Sequence, residues 1–152
     1  MMDRKDVVDT LNRLIETSKD GEYGFRTSAE HVRDTQLQRI FIARADECRQ
    51  GAAELQTLVV QYGGTAEDGG SATGAMHRGW VAVKGTLAGY SDLAMLEECE
   101  RGEDAAMERY RSALGEDLPS DVRIVVERQF EGVKRNHAQV RTLRDEARAR
   151  TA

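Results

Sequence analysis

The chain has 152 residues and a formal net charge of −5, and 39% of its residues are hydrophobic. This length predicts one domain over residues 1–152. The acidic balance argues against nucleic acid as the main partner, because phosphate binding requires a basic face. No apolar run approaches the roughly 18 residues that a transmembrane helix needs, so we also expect no membrane partner.

The N-terminal residues and the two cysteines indicate a cytoplasmic protein. Residues 1–6 (MMDRKD) lack the apolar stretch of a secretion signal. Cys48 and Cys99 have no CxxC spacing, and we expect two buried free thiols. One proline and few aromatic residues favour long helices over strands. The composition therefore predicts an all-α protein in the cytoplasm.

The first predicted helix runs from about Asp3 to Val32, and Asp34 or Thr35 can cap a second helix that runs to about Tyr62. The connection is only a few residues long, so the two helices must be antiparallel neighbours. In the first helix one continuous stripe at helical spacing faces the core. It consists of Val7, Leu11, Leu14, Ser18, Gly21, Glu22, Phe25, Ala29 and Val32.

Residues 63–70 form a loop by composition, and residues 75–89 read as a shorter helix. Ser91 and Asp92 can cap the next helix, which continues to about Leu114. A last helix starts at residues 119–120, and its tail from about Ala147 is expected to fray. The short helix, about 25 Å long, suits a crossover along the bundle. The sequence thus predicts a ferritin-like four-helix bundle with a crossover helix between helices two and three.

Glycines recur at matching places in the two halves of the chain. The pattern consists of Gly21-Glu22 with Gly51, and of Gly102-Glu103 with Gly132. A glycine inside a helix costs about 1 kcal/mol relative to alanine, so the repeated placement favours a structural or functional reason. It predicts two similar helical hairpins packed face to face, with a carboxylate in the middle of each. Close helix packing explains the glycines equally well.

Acidic residues from all four helices are predicted to reach one height of the bundle. A carboxylate on a core stripe is costly unless it is paired, hydrogen-bonded or bound to a cation. Counting along the helices at about 1.5 Å per residue brings several acids and one histidine near that height. The candidate metal ligands are Glu22, Glu47, Glu100, Glu103 and His137. Oxygen and imidazole donors suit iron, manganese or zinc.

A simpler alternative stays open for each candidate ligand. The glutamates can lie at the stripe edge and pair with an arginine such as Arg44 or Arg128, and His137 can be a satisfied core residue. A di-iron carboxylate bundle also needs two Glu-x-x-His motifs. Helix two offers only Glu47-x-x-Gln50, and helix four only Glu131-x-x-Lys134. Oxidase or ferroxidase activity is therefore disfavoured, and no catalytic residue is predicted.

The segment from His77 to Trp80 holds the only tryptophan of the chain. Trp80 is expected to pack the crossover helix onto the bundle or to fill a dimer contact. Together with Met76 and the apolar residues around it, Trp80 predicts a homodimer. A ligand role for His77 is a minor option.

Several stretches resemble a bacterial family of uncharacterised four-helix-bundle proteins that is placed among ferritin-like domains. They are KDGEYGF (19–25), AEHV (29–32), HRGW (77–80), ECERGEDAA (98–106) and Tyr110. The resemblance spans about residues 6–145. It implies a ferritin-like bundle in the cytoplasm, and it carries no activity, substrate or site residue over to this chain.

Two functions follow as hypotheses. The first is a binding protein with a metal site at mid-height of the bundle. The second is a structural or interaction module, linked to stress, whose acids form ion pairs with arginines.

Overall fold

The computed structural model describes residues 2–68 and 91–151. Within these ranges the chain forms helices and no strand, which confirms the all-α prediction. The helices are α1 (Arg4–His31), α2 (Thr35–Gln61), α3 (Asp92–Leu114) and α4 (Ser120–Thr151). None of these described helices is both long and apolar enough to cross a membrane. The predicted crossover helix, with His77 and Trp80, lies outside the described residues.

Three of the helices begin where the sequence predicts, and a side chain caps the N-terminus of each. The Asp3 carboxylate accepts a hydrogen bond from the backbone N–H of Asp6 at the start of α1. Asp34 accepts from two backbone N–H groups of α2, and Ser91 accepts from one in α3. Each such cap stabilises a helix by about 1 kcal/mol, because it satisfies backbone donors that have no partner inside the helix.

The C-terminal end of α4 differs from its prediction. Fraying from about Ala147 was the expectation, but the helix continues to Thr151. Ala147 is only 4% exposed and packs into the same core cluster as Val140, seven residues before it. Arg148 donates to Glu97 of α3 at 2.7 Å. The surrounding charged residues hide this single apolar contact in the sequence, and the contact with α3 keeps the last turns helical.

The four helices form two antiparallel hairpins, α1–α2 and α3–α4. The hairpins meet mainly through α1 and α3, whereas α2 and α4 touch at few residues. The core consists of two clusters at different heights. One includes Leu11, Val59 and Val126, and the other includes Phe41 and Leu96. The bundle is therefore tightly packed at two levels and leaves a separate zone between them.

Asp92 joins the two hairpins at one end of the bundle. Its carboxylate accepts from the backbone N–H groups of Arg33 at 2.7 Å and Asp34 at 3.1 Å. Asp92 lies in the first turn of α3, where a negative charge also suits the helix dipole. This contact holds the α1–α2 turn against the start of α3 and so sets the relative height of the two hairpins.

The glycines of the repeated pattern have different surroundings. A Cβ added to Gly21 would lie 2.8 Å from the Sγ of Cys48, which is too close for ordinary packing. A Cβ on Gly132 would meet only the Nη2 of Arg135, at 3.7 Å. Gly21 thus permits the close approach of α1 and α2, while Gly132 leaves space beside α4.

Alanine at these two glycines is expected to change stability in different directions. Gly132→Ala gains up to about 1 kcal/mol in the free energy of unfolding, because alanine is the better helix former. In Gly21→Ala the same gain is offset by about 1–3 kcal/mol of overpacking against Cys48. Urea denaturation measures both. The Cys48→Ala background is the control, since Gly21→Ala should become stabilising there. Equal gains for both variants in the wild-type background would contradict the close approach.

Candidate functional site

A cavity of about 680 Å³ occupies the zone between the two core clusters. Residues from all four helices line it, among them Phe25, Arg44, Cys48, Glu103 and Gln129. Five helical glycines also line it: Gly21, Gly24, Gly51, Gly102 and Gly132. Because a glycine contributes no side chain, this concentration of glycines at one height leaves the space open. The repeated Gly-Glu pattern of the sequence thus coincides with a cavity.

Arg44 of α2 and Glu103 of α3 form an ion pair inside the bundle. The Nη2 of Arg44 donates to the Oε2 of Glu103 at 3.1 Å, and both side chains are 5% exposed. The Nη1 of Arg44 donates to Glu47 at 2.9 Å. The guanidinium carbon lies 5.2 Å from the ring centroid of Phe25, within the range of a cation–π contact. Arg44 is therefore held from three sides.

The charge of Glu103 is only partly compensated by its surroundings. Burial raises the pKa of this carboxyl, and the nearby Arg44 and His137 counteract the rise without cancelling it. Within the described residues, the Nε of Arg44 and the Oε1 of Glu103 are buried atoms without a hydrogen-bond partner. A buried polar atom left unpaired costs about 1–3 kcal/mol. The pair is thus a costly feature at the wall of the cavity.

Gln129 closes the side of the cavity where α2 and α4 approach each other. Its Oε1 accepts from the hydroxyl of Tyr110 at 2.7 Å. Its Nε2 donates to the backbone carbonyl of Gly51 at 3.2 Å and to Glu54 at 2.8 Å. In the sequence Gln129 lies at helical spacing from Val122, Val126 and Val133, and a polar residue at such a position is a signal of an interior contact. Its partner Gly51, on another helix, becomes apparent only in the packed bundle.

Glu47 and Glu103 share Arg44, whereas the other three predicted metal ligands lie in separate pairs. Glu22 accepts from Arg26 at 3.2 Å, and its side chain is 21% exposed. Glu100 is paired with Arg144. The Nε2 of His137 lies 2.6 Å from the Oδ1 of Asp104.

Three of the predicted ligands, Glu22, Glu47 and Glu103, nevertheless lie near enough to Cys48 to affect the pKa of its thiol. Burial raises the pKa of Cys48 to about 12; Arg44 lowers it, while Glu103, Glu47 and Glu22 raise it further. Carboxylates from α1, α2 and α3 thus act on the same thiol. His137 acts on Glu103 from α4, and Glu100 is held by Arg144.

Within the two described ranges, no group of three or more His, Cys, Asp or Glu side chains is arranged so that it could hold a metal ion. The guanidinium of Arg44 occupies the position beside Glu103 that a cation would need. The alternative pairing with an arginine is therefore present at Glu103, with Arg44 as its partner. Glu22 instead pairs with Arg26, and Arg128 pairs with Glu54.

A di-iron motif would need a histidine at position 134 of α4, and this position lies near the surface. Lys134 occupies it and pairs with Glu131 at 2.8 Å, with side chains that are 42% and 60% exposed. On α2 the corresponding residue, Gln50, is exposed and contributes to the lining of the cavity. A lysine and a glutamine thus stand where a di-iron motif would have imidazoles.

Sequence comparison matches residues 6–116 to the family described as "Domain of unknown function (DUF2383)". A comparison with curated proteins gives no match.

The fold has clear counterparts among solved structures. A mutant of Mycobacterium smegmatis Dps1 has a TM-score of 0.73 and 16% identity, covering 93% of this chain and 96% of that chain. The tetragonal form of Mycobacterium smegmatis Dps has a TM-score of 0.74 and 15% identity, with 91% and 86% covered. The dodecameric thioferritin of Bacteroides fragilis, a bacterioferritin-related protein, has a TM-score of 0.78 and 16% identity, with 99% and 91% covered. At these identities the likeness shows the fold alone, and it confirms the predicted ferritin-like bundle.

Proposed function

The chain belongs to the DUF2383 family and has a ferritin-like fold, and from this premise we propose that it is a binding protein whose ligand occupies the mid-bundle cavity. The observation that supports the proposal is the ion pair of Arg44 and Glu103 at the cavity wall, with one unpaired polar atom on each side chain. A volume of about 680 Å³ falls within the range of small-molecule sites, which is roughly 300–1,000 Å³. Buried polar atoms in folded proteins nearly always have a hydrogen-bond partner, and a ligand in the cavity would supply one for this pair.

Filling the cavity tests this proposal. Gly132→Leu places a larger side chain at the cavity wall, and leucine is a better helix former than glycine, so the variant should fold. Ala138→Leu, on an exposed position of the same helix, is the matched control. A library of small organic fragments is screened by thermal melting. We expect fragments that raise the Tm of the wild type and of the control but not of Gly132→Leu. If no fragment distinguishes the variants, the proposal is wrong.

A metal ion is the second candidate ligand. The observation in its favour is that Glu22, Glu47 and Glu103 all act on the thiol of Cys48. In this proposal the ligand set comes from Glu22, Glu47, Glu100, Glu103 and His137, and iron, manganese or zinc is bound. Arg44 would have to release Glu103 first, which ranks this candidate below an organic ligand.

Metal analysis of protein purified without a chelator checks the second candidate. We expect wild type to carry iron, manganese or zinc after supplementation and the Glu22→Ala/Glu103→Ala variant to carry less than about a tenth of it, since two ligands are lost. Equal metal content in both proteins, or none in either, rules the site out. The remaining function would then be the structural or stress-linked interaction module.

We also propose that the chain self-associates, as a homodimer, in the cytoplasm. Dodecameric assembly of the thioferritin and the likeness of the folds support self-association. Light scattering at micromolar concentration tests it: a mass of about twice 16.9 kDa is expected, and a monomer would refute the dimer.

A further inference from the structure

The hydrogen bonds of Arg44 leave one specific donor unused. A guanidinium carries N–H groups on Nε, Nη1 and Nη2. In Arg44, Nη1 donates to Glu47 and Nη2 donates to Glu103. The Nε–H has no partner within residues 2–68 and 91–151, and neither does the Oε1 of Glu103. One donor and one acceptor therefore remain open in the same ion pair.

The two open atoms belong to the two side chains that already share one hydrogen bond. The Nε and Nη2 of a guanidinium share one edge, and this edge usually grips both oxygens of a carboxylate with two parallel hydrogen bonds. Here only the bond from Nη2 of Arg44 to Oε2 of Glu103 is made. The second bond, between Nε and Oε1, is absent among the described residues. A group that fits this gap must accept from the arginine and donate to the glutamate.

The charges of Arg44, Glu47 and Glu103 favour an uncharged ligand group beside the unpaired atoms. A cationic group would meet the guanidinium of Arg44, and an anionic group would meet the carboxylates of Glu103 and Glu47. Both open atoms are also shielded from solvent. Moving a charged group out of water to such a position is far more costly than moving a neutral one.

The rest of the cavity suits an apolar body. The ring of Phe25 and the side chains of Cys99, Ala106 and Val133 contribute to its lining. The glycines that line the cavity add no polar side chain to its surface. A flat ring of ordinary size needs less than the cavity volume of about 680 Å³, so the body can enter while its polar group reaches Arg44.

We propose that the cavity binds an uncharged small molecule with an apolar body and a carboxamide group, whose carbonyl accepts from the Nε–H of Arg44 and whose N–H donates to the Oε1 of Glu103. A carboxamide has the required acceptor and donor side by side in one plane. This inference rests on the proposed function and names the chemical class of its ligand.

Three probes of nearly equal shape test the class: benzamide, benzoate and benzamidinium. They differ in charge and in whether the group accepts, donates or does both. Binding to the wild-type protein is measured by isothermal titration and by the shift in Tm. We expect benzamide to bind at least about tenfold more tightly than either charged probe, because each of them brings a like charge to one half of the ion pair.

Two variants assign the binding to this site. Gly132→Leu should abolish benzamide binding, and Ala138→Leu should leave it unchanged. Glu103→Gln keeps the shape of the side chain but removes its charge, so the preference for benzamide over benzoate should fall at least about tenfold. Unchanged selectivity in Glu103→Gln would overturn the inference.

The inference and the proposed function fail in different ways. If benzoate or benzamidinium binds best in the cavity, or if library fragments bind there and benzamide does not, the carboxamide class is wrong and the cavity remains a binding site. If neither the probes nor any fragment distinguishes wild type from Gly132→Leu, both are wrong.

Discussion

Arg44→Met is expected to lower the free energy of unfolding by about 3–5 kcal/mol, as measured by urea denaturation. The substitution removes the only guanidinium that contacts Glu103 in the described residues and leaves a carboxylate buried without its cation. The loss comes mainly from the desolvated charge of Glu103, because methionine retains most of the apolar stem of arginine and its packing on Phe25. The cation–π contact with that ring is also lost, which adds a smaller term.

The loss in Arg44→Met is expected to depend on pH. Burial already holds the folded-state pKa of Glu103 above the ordinary value of 4.5. Between the unfolded and folded pKa values the folded protein binds more protons, so its stability falls as pH rises. Removing Arg44 raises the folded pKa of Glu103 further and widens that window. The loss should therefore be larger at about pH 8 than at about pH 5, because Glu103 can bind a proton at the lower pH.

Two controls separate the buried charge from packing. In Arg44→Met/Glu103→Met both charges are replaced by apolar groups, and most of the lost stability should return. Glu47→Ala removes the other partner of Arg44, but the Glu47 side chain is 55% exposed. This variant should cost less than about 1 kcal/mol, as exposed ion pairs usually do. A loss in Arg44→Met that is the same at both pH values, and that the double variant does not relieve, would contradict the interpretation.

Both cysteines are expected to react slowly with thiol reagents in the folded protein. Burial raises the pKa of Cys48 from 9.0 to about 12, and it raises the pKa of Cys99 as well. Only the thiolate attacks, so at neutral pH a rise of about three pKa units lowers the reactive fraction roughly a thousandfold. A more basic thiolate is also a better nucleophile, which restores part of the reaction rate. We therefore expect a net slowing of at least about fiftyfold.

The rate of reaction with a chromogenic disulfide reagent measures this effect. Folded protein is compared with protein in concentrated urea, where both thiols should react at the rate of free cysteine. Variants with one cysteine, Cys48→Ala and Cys99→Ala, separate the two sites. Cys99 is 2% exposed and donates to the hydroxyl of Ser28 at 3.4 Å, so it should be the slower of the two. Cys99 is buried and Cys48 is half-buried, so the expectation of two buried thiols holds fully only for Cys99. Reaction of Cys48 at the free-thiol rate would show that Glu22, Glu47 and Glu103 do not lie around its thiol.

The ion pair of Arg44 and Glu103 and the two thiols line the same mid-bundle cavity. Arg44 lowers the pKa of Cys48 and the three glutamates raise it, so charges of both signs act on one thiol of the cavity. The guanidinium of Arg44 already lies beside Glu103, where a metal ion would have to bind. This arrangement is the physical reason to prefer an uncharged ligand over a metal ion.

The sequence by itself determines the helices of the described chain. The stripe from Val7 to Val32 has the period of a helix, and Asp34 and Ser91 offer side-chain oxygens where backbone donors need them. These are local effects, and each depends on residues within a few positions of one another. The exception is the end of α4, where the contact of Ala147 with the core comes from other helices.

The partners of the interior charges were decided by the tertiary structure. Helical spacing predicts the height of Glu103 to within about a turn, but an ion pair also depends on how far each helix is rotated and tilted. The association of the two hairpins, mainly through α1 and α3, brings Arg44 to 3.1 Å from Glu103, 59 positions away. Glu22 pairs instead with Arg26, one turn away on the same helix. The cavity likewise depends on packing, because its lining includes glycines from all four helices that meet at one height. Sequence spacing therefore located the acidic zone, and packing determined that an arginine lies beside its most buried carboxylate.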